Sequence, residues 1–181
     1  MMLSVYLNGT IRDIVVAVQK SGFAWALDRD NGSLEAGPGG LMGGGTWGAA
    51  TDGKRVYSNI ANSAGKNFTL LPSKHITTAS GWVAMDADNG KILWSTANPS
   101  NATSSRLVTV ANGVLFAGST LPQGPVYAME VESGKILWSY NTGASVYRGA
   151  SVSNGCIYVG SGYNLIPTFT AGTSLFAFCV S

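Results

Sequence analysis

Charge is scarce in this chain, and so are the side chains most often used for chemistry. Of 181 residues only 11% are charged, one is a histidine and two are cysteines. A formal net charge of +2, scattered along the sequence, is too weak to grip a phosphate backbone, so nucleic acid is not an expected partner, nor is an anionic membrane surface. The lone histidine, His75, has no second histidine or neighbouring acid to share a metal or a proton with, and reads as a loop residue. No Gly-x-Ser-x-Gly setting accompanies it, which leaves nucleophilic acyl chemistry unsupported. No apolar run approaches the roughly 18 residues that span a bilayer. At the N-terminus Asn8, Gly9, Thr10, Arg12 and Asp13 interrupt any apolar core, so the stretch does not read as a secretory signal. Glycine, by contrast, is abundant at 24 residues, and 45% of the chain is hydrophobic. That balance is the profile of an all-β protein with many turns, long enough for one domain with a sizeable core.

What organises the chain is a repeat. Gly81 to Ser95 reads GWVAMDADNGKILWS, and Gly124 to Ser139 reads GPVYAMEVESGKILWS. Ala84, Asp86, Gly90 and Trp94 in the first copy match Ala128, Glu130, Gly134 and Trp138 in the second, 44 residues apart by their numbers. Each copy sets two short runs of strand-forming residues around a turn rich in residues that tolerate left-handed backbone, which predicts an antiparallel hairpin. The small alanine leaves room for a neighbouring layer, and the large tryptophan is suited to fill such room in an adjacent repeat. Weaker echoes flank these two. Ala26, Asp28 and Gly32 stand in register upstream, with Ala36 where a tryptophan is expected. Downstream, Ala177 is followed by Cys179 at the position of the acid. The stretch after Gly32 predicts a clipped outer strand in the first repeat.

The pattern Ala-x-Asp-x-x-x-Gly-x-x-x-Trp resembles the tryptophan-docking motif of quinoprotein β-propellers. The stretches GPGGLMGGGTWGAATDGKRVYSNIAN and NGVLFAGSTLPQGPVYAME resemble the polyvinyl-alcohol-dehydrogenase-like quinoproteins of plants and bacteria. The resemblance runs from about Asp13 to Val180. It implies an all-β partial propeller of about four four-stranded antiparallel blades, with approximate boundaries 1–45, 46–100, 101–145 and 146–181. It implies alcohol oxidation with pyrroloquinoline quinone and calcium, and a secreted or endomembrane setting. Many proteins with such blades bind no quinone and act as scaffolds for protein or carbohydrate, so that reading stands beside the enzymatic one.

Further strands follow from the same grammar. Ile14 to Val18 and Phe23 to Leu27 read as strands. Thr46 to Ala50 and Arg55 to Ile60 flank a turn at Asp52-Gly53, Leu107 to Val110 and Val114 to Ala117 flank Asn112-Gly113, and Gly149 to Val152 and Ile157 to Val159 flank Asn154-Gly155. Ala64 to Thr78 reads as an insertion, and Ser95 to Leu107 as a polar surface loop. First strands of blades line a propeller's channel, which places Trp47 near the axis. It either stacks on a planar cofactor or sugar, or closes the core. Arg148, just before another channel strand, either binds an anionic group or is solvated. Four N-glycosylation sequons, at Asn8, Asn31, Asn67 and Asn101, fit a secreted protein but also arise from a composition rich in Asn, Ser and Thr.

Aligning the third and fourth repeats sets Val114 opposite Glu130, and Cys156 and Cys179 fall at those same two positions. Directly opposite residues on adjacent strands lie within disulfide reach, so the pair reads as a cross-strand disulfide formed in an oxidising compartment, or as two buried thiols. A quinone site needs a calcium cradle and a catalytic acid. The nine acids offer neither: Asp28, Asp30, Asp86, Asp88, Glu130, Glu132 and Asp52 belong to turns, and Asp13 and Glu35 stand alone. About four blades of this kind do not close a ring of seven or eight, so the expected partners are the remaining blades of a larger propeller or a second copy of the chain, with an alcohol or carbohydrate as the possible ligand.

Overall fold

The structure is a computed structural model and describes residues 2–7, 9–18, 23–27, 33–35, 48–102, 105–162 and 167–180. Four antiparallel sheets follow one another along the chain. The first contains β1 (Met2–Leu7), β2 (Thr10–Val18), β3 (Phe23–Leu27) and β4 (Ser33–Glu35) in sequential order. β4 is only three residues long, against six in the outer strands of the next two sheets. The strand β1 has no counterpart in the sequence reading, which began at Ile14. Residues 2–7 pair with β2 from Met2↔Val15 to Leu7↔Thr10, around a turn whose Gly9 takes φ +83°.

The second sheet is built from β5 (Ala49–Thr51), β6 (Arg55–Ile60), β9 (Gly81–Asp86) and β10 (Ile92–Ala97). Between β6 and β9 the insertion folds into a separate two-stranded ribbon, β7 (Phe68–Thr69) with β8 (Ile76–Thr77). The third sheet runs β11 (Ser105–Ala111), β12 (Val114–Ser119), β13 (Pro125–Glu130) and β14 (Ile136–Asn141). The fourth has three strands among the described residues, one fewer than expected: β15 (Ser151–Ser153), β16 (Cys156–Gly160) and β17 (Leu175–Cys179).

The sheets pack face to face, and strand alternation decides which side chains fill each junction. Ile14 and Val16 of the first sheet meet Val56, Ile60, Val83 and Met85 of the second. The residues between those positions on β6 and β9, Tyr57, Trp82 and Ala84, point the other way. They join Leu115, Ala117, Tyr127 and Met129 of the third sheet. Val126 and Phe116, on the third sheet's opposite face, meet Ile157, Val159 and Phe178 of the fourth. One layer of core therefore lies at each junction, as in a stack of blades.

The outer strands carry an irregularity that makes this possible. Strict alternation would put Ile92 and Trp94 on the same face. Instead Ile92 pairs with Met85 and Trp94 with Ala84, so Leu93 is a bulge residue, and the same shift occurs at Leu137 between Ile136 and Trp138. Ile92 consequently packs toward the first sheet and Trp94 toward the third.

One expected loop needs correction. Ser95 to Leu107 is not a simple surface loop: its ends belong to β10 and β11, and a single 3-10 turn, Pro99–Asn101, lies between. Asn98 is buried, and its amide reaches from Ser80 Oγ (3.4 Å) in the second sheet's hairpin to Ser119 Oγ (3.2 Å) in the third. Strand β5 is described over Ala49–Thr51; Thr46 and Trp47, at the start of the expected strand, lie outside the described residues, as do Asp28 and Gly32.

Candidate functional site

The repeat turns are held by their own polar groups. Asp86 Oδ1 accepts the backbone N–H of Asp88 (2.8 Å), and Gly90 N–H donates to the Asp86 carbonyl (2.8 Å). In the third sheet Gly134 N–H donates to the Glu130 carbonyl (2.9 Å), and Ser133 Oγ donates to Glu130 Oε2 (2.5 Å). Gly90 and Gly134 both take left-handed backbone, at φ +69° and +70°. Asp86 and Glu130 are thus engaged in building turns.

Gly134 is also where one sheet meets the next. The Trp94 indole lies against it so closely that a Cβ there would collide with the ring. Trp94 Nε1 donates to the Val131 carbonyl (2.8 Å), and Thr96 Oγ1 donates to the Gly134 carbonyl (2.8 Å). Trp94 is 1% exposed, with Tyr57 beside it at a centroid distance of 6.1 Å. The equivalent Trp138 sits differently. It is 38% exposed, lies edge-on to Phe178 (4.9 Å), and stacks on Tyr140 (6.1 Å) at the rim of an apolar cleft of about 410 Å³ between the third and fourth sheets.

A polar cluster that sequence reasoning did not assemble joins the second and third sheets. Arg55 bridges Asp52 (3.0 Å) and Glu132, and the Tyr57 hydroxyl donates to Asp52 Oδ2 (2.7 Å). Burial pushes the Asp52 carboxyl up, but hydrogen bonds from Tyr57, the Lys54 and Arg55 N–H groups and the Arg55 guanidinium outweigh it and hold the group below its ordinary value. Burial, then the bond to Asp52, pushes the Tyr57 phenol well above its usual range. The cluster is an inter-sheet clamp whose acid stays ionised. Its only signal in the sequence was the turn Asp52-Gly53, which does not reveal that Glu132 lies across from it.

Cys156 and Cys179 are bonded, opposite each other on β16 and β17. The reading of two free thiols is therefore set aside. Arg148 and His75 are exposed. Trp47 lies outside the described residues. A second, more polar cleft of about 290 Å³ opens beside Pro99, Gln123, Tyr127 and Asn141. Among the described residues no three His, Cys, Asp or Glu side chains converge on a possible metal position. No described helix is long and apolar enough to cross a membrane.

Residues 79–174, both tryptophan repeats and most of the fourth sheet, match the PQQ_2 family model, described as outer membrane protein assembly factor BamB. The chain belongs to the PQQ_2 repeat family. Among curated proteins, a polyvinylalcohol dehydrogenase from a Pseudomonas species is 32% identical over 184 residues, covering 89% of this chain and 28% of its own length. The PQQ_2 chain thus spans little more than a quarter of that relative. Quinohemoprotein alcohol dehydrogenase from Comamonas testosteroni shares the fold at a TM-score of 0.62 and 17% identity, over 89% of this chain and 33% of that one. BamB from Moraxella catarrhalis does so at 0.54 and 14%, over 99% of this chain and 48% of that one. The four stacked sheets are a partial β-propeller.

Proposed function

We propose that this chain is a run of consecutive blades, 1–45, 46–100, 101–145 and 146–181, from a quinone-dependent alcohol-oxidising propeller, in which its described residues serve as structural frame. The observation that carries the reading is the 32% identity with a polyvinylalcohol dehydrogenase, sustained across 89% of the chain. Trp94 over Gly134 is read here as the docking contact that fixes blade to blade, and the Cys156–Cys179 bond as the mark of an oxidising compartment. Pyrroloquinoline quinone needs basic partners for its carboxylates and oxygen ligands for calcium. The acids whose side chains are described do not fit it: Asp86, Asp88 and Glu130 belong to the repeat turns and Asp52 and Glu132 are paired with Arg55, while Arg148 is exposed. Catalysis is accordingly assigned to the longer propeller.

A chimera tests this. The chain replaces its homologous stretch in the Pseudomonas enzyme, and quinone-dependent oxidation of polyvinyl alcohol is assayed. Retained turnover is expected. A chimera that folds and binds quinone but does not turn over counts against the reading. A non-catalytic scaffold is then favoured, in keeping with the description of the matched family model.

A further inference from the structure

The cleft of about 290 Å³ lies where the chain leaving β10 meets the third sheet, and its size is at the lower end of the range of small-molecule sites. Register decides what faces it. Pro125 pairs with Asn141 and Tyr127 with Ser139, two positions further along each strand, so all four stand on one face of the sheet. The bulge at Leu137 brings Ile136 onto that face as well, where strict alternation would set it opposite to Ser139. Gln123 comes from the turn between β12 and β13. That turn is fixed by Gly124 N–H donating to the Leu121 carbonyl (2.8 Å) and Gly143 N–H donating to the Gln123 carbonyl (2.9 Å). The facing wall, at Pro99, is tied to the same turn. Its neighbour Asn98 reaches Ser119 Oγ (3.2 Å), and that oxygen also accepts the Leu121 N–H (3.4 Å). The cleft is therefore built from both sheets and held in shape without a ligand.

Tyr127 is the member of this wall that lacks a partner. It is 5% exposed, its ring is packed on Trp82 at 5.3 Å, and it borders the cleft. Burial alone pushes its phenol up, with no hydrogen bond among the described residues contributing. A buried tyrosine hydroxyl ordinarily finds a partner, and here the open side is the cleft. Gln123, Ser139 and Asn141 line the same space and are exposed, and each can both donate and accept. Among the described residues no charged side chain lines it, so an anion or a cation entering would meet no counter-charge. An alcohol hydroxyl also donates and accepts, and it needs none. Pro99 and Pro125 add C–H surface that carries no N–H. We propose that this cleft binds an uncharged polyhydroxylated ligand. Its hydroxyl groups bond to Tyr127, Ser139 and Asn141, and its carbon skeleton lies against Pro99 and Pro125. That chemistry is shared by linear polyols and saccharides.

The test titrates the isotope-labelled intact protein with sorbitol and, separately, with maltotriose, following the nuclear magnetic resonance signals of the Gln123 and Asn141 side-chain amides and the Ser139 N–H. Saturable shifts at these positions are expected with one probe or both. Stronger binding of sorbitol assigns the cleft to linear polyols, and stronger binding of maltotriose assigns it to saccharides. Tyr127→Phe keeps the ring on Trp82 and loses only the oxygen, so it should weaken binding by about tenfold. Asn141→Ala, at an exposed position, decides in the same way should the phenylalanine variant not fold. The proposal is overturned by no saturable shift with either probe, by a folded Tyr127→Phe that binds as tightly as the parent, or by equal shifts with the uncharged peptide N-acetyl-triglycine amide, which gives the cleft to a peptide. Binding here together with an inactive chimera leaves this inference standing, because nothing in it depends on alcohol oxidation.

Discussion

Trp94 and Trp138 occupy the same place in two nearly identical strings, yet the structure gives them different duties, and truncating each in turn measures the difference. A tryptophan removes roughly 200 Å² from water when buried, which at about 25 cal/mol per Å² sets an upper bound near 5 kcal/mol. Trp94 is 1% exposed and enclosed, so Trp94→Ala leaves a closed cavity and is expected to destabilise by about 4 kcal/mol. The Val131 carbonyl, its acceptor at 2.8 Å, loses that partner, which adds about 1 kcal/mol. Trp138 is 38% exposed, borders a cleft already open to water, and makes no hydrogen bond through its indole among the described residues. Trp138→Ala is therefore expected to destabilise by only about 1–2 kcal/mol. Urea unfolding followed by far-ultraviolet circular dichroism reads both, provided the slopes agree between variants. Equal losses, within about 0.5 kcal/mol, would refute the argument that docking on the next sheet, rather than the motif itself, is what stabilises.

Three other expectations follow from named contacts. Gly134→Ala places a methyl group against the Trp94 ring and on a φ of +70°, so a loss of about 2 kcal/mol or more is expected in the same urea assay, and a neutral result would contradict the packing. Asp52 is held ionised below its ordinary value, so its contribution is complete above about pH 4 and lost as pH falls through its folded value; the acid decline in urea midpoint should be shallower in Asp52→Asn. Reducing the Cys156–Cys179 bond releases a loop with a sequence separation of 23 and should lower stability by about 3 kcal/mol, read as a fall in urea midpoint between oxidised and reduced protein.

Much of the fold was legible because the repeats obey local rules. The turns at Asp52-Gly53, Asn112-Gly113 and Asn154-Gly155 and the strands around them carry their own chemistry in a few adjacent residues. The cysteine pairing was legible for a related reason: register propagates, and Val114↔Glu130 in one sheet locates Cys156↔Cys179 in the next. What the sequence hid depends on contacts between sheets. The bulges at Leu93 and Leu137 are invisible in ILW, since either face assignment satisfies the pattern, and only packing on both sides selects the shifted register. Asn98 read as loop because its partners, Ser80 and Ser119, are distant in sequence. Arg55 and Glu132 are 77 residues apart, and nothing local joins them. Strand β1 was missed because residues 2–7 were weighed as a targeting segment rather than for alternation.

We propose that these blades frame an alcohol-oxidising propeller whose cofactor site is completed elsewhere. Equilibrium dialysis of pyrroloquinoline quinone against the isolated chain, with and without calcium, tests it most directly. The account predicts no stoichiometric uptake under either condition. Calcium-dependent binding of one quinone per chain would contradict it and place the cofactor within these residues.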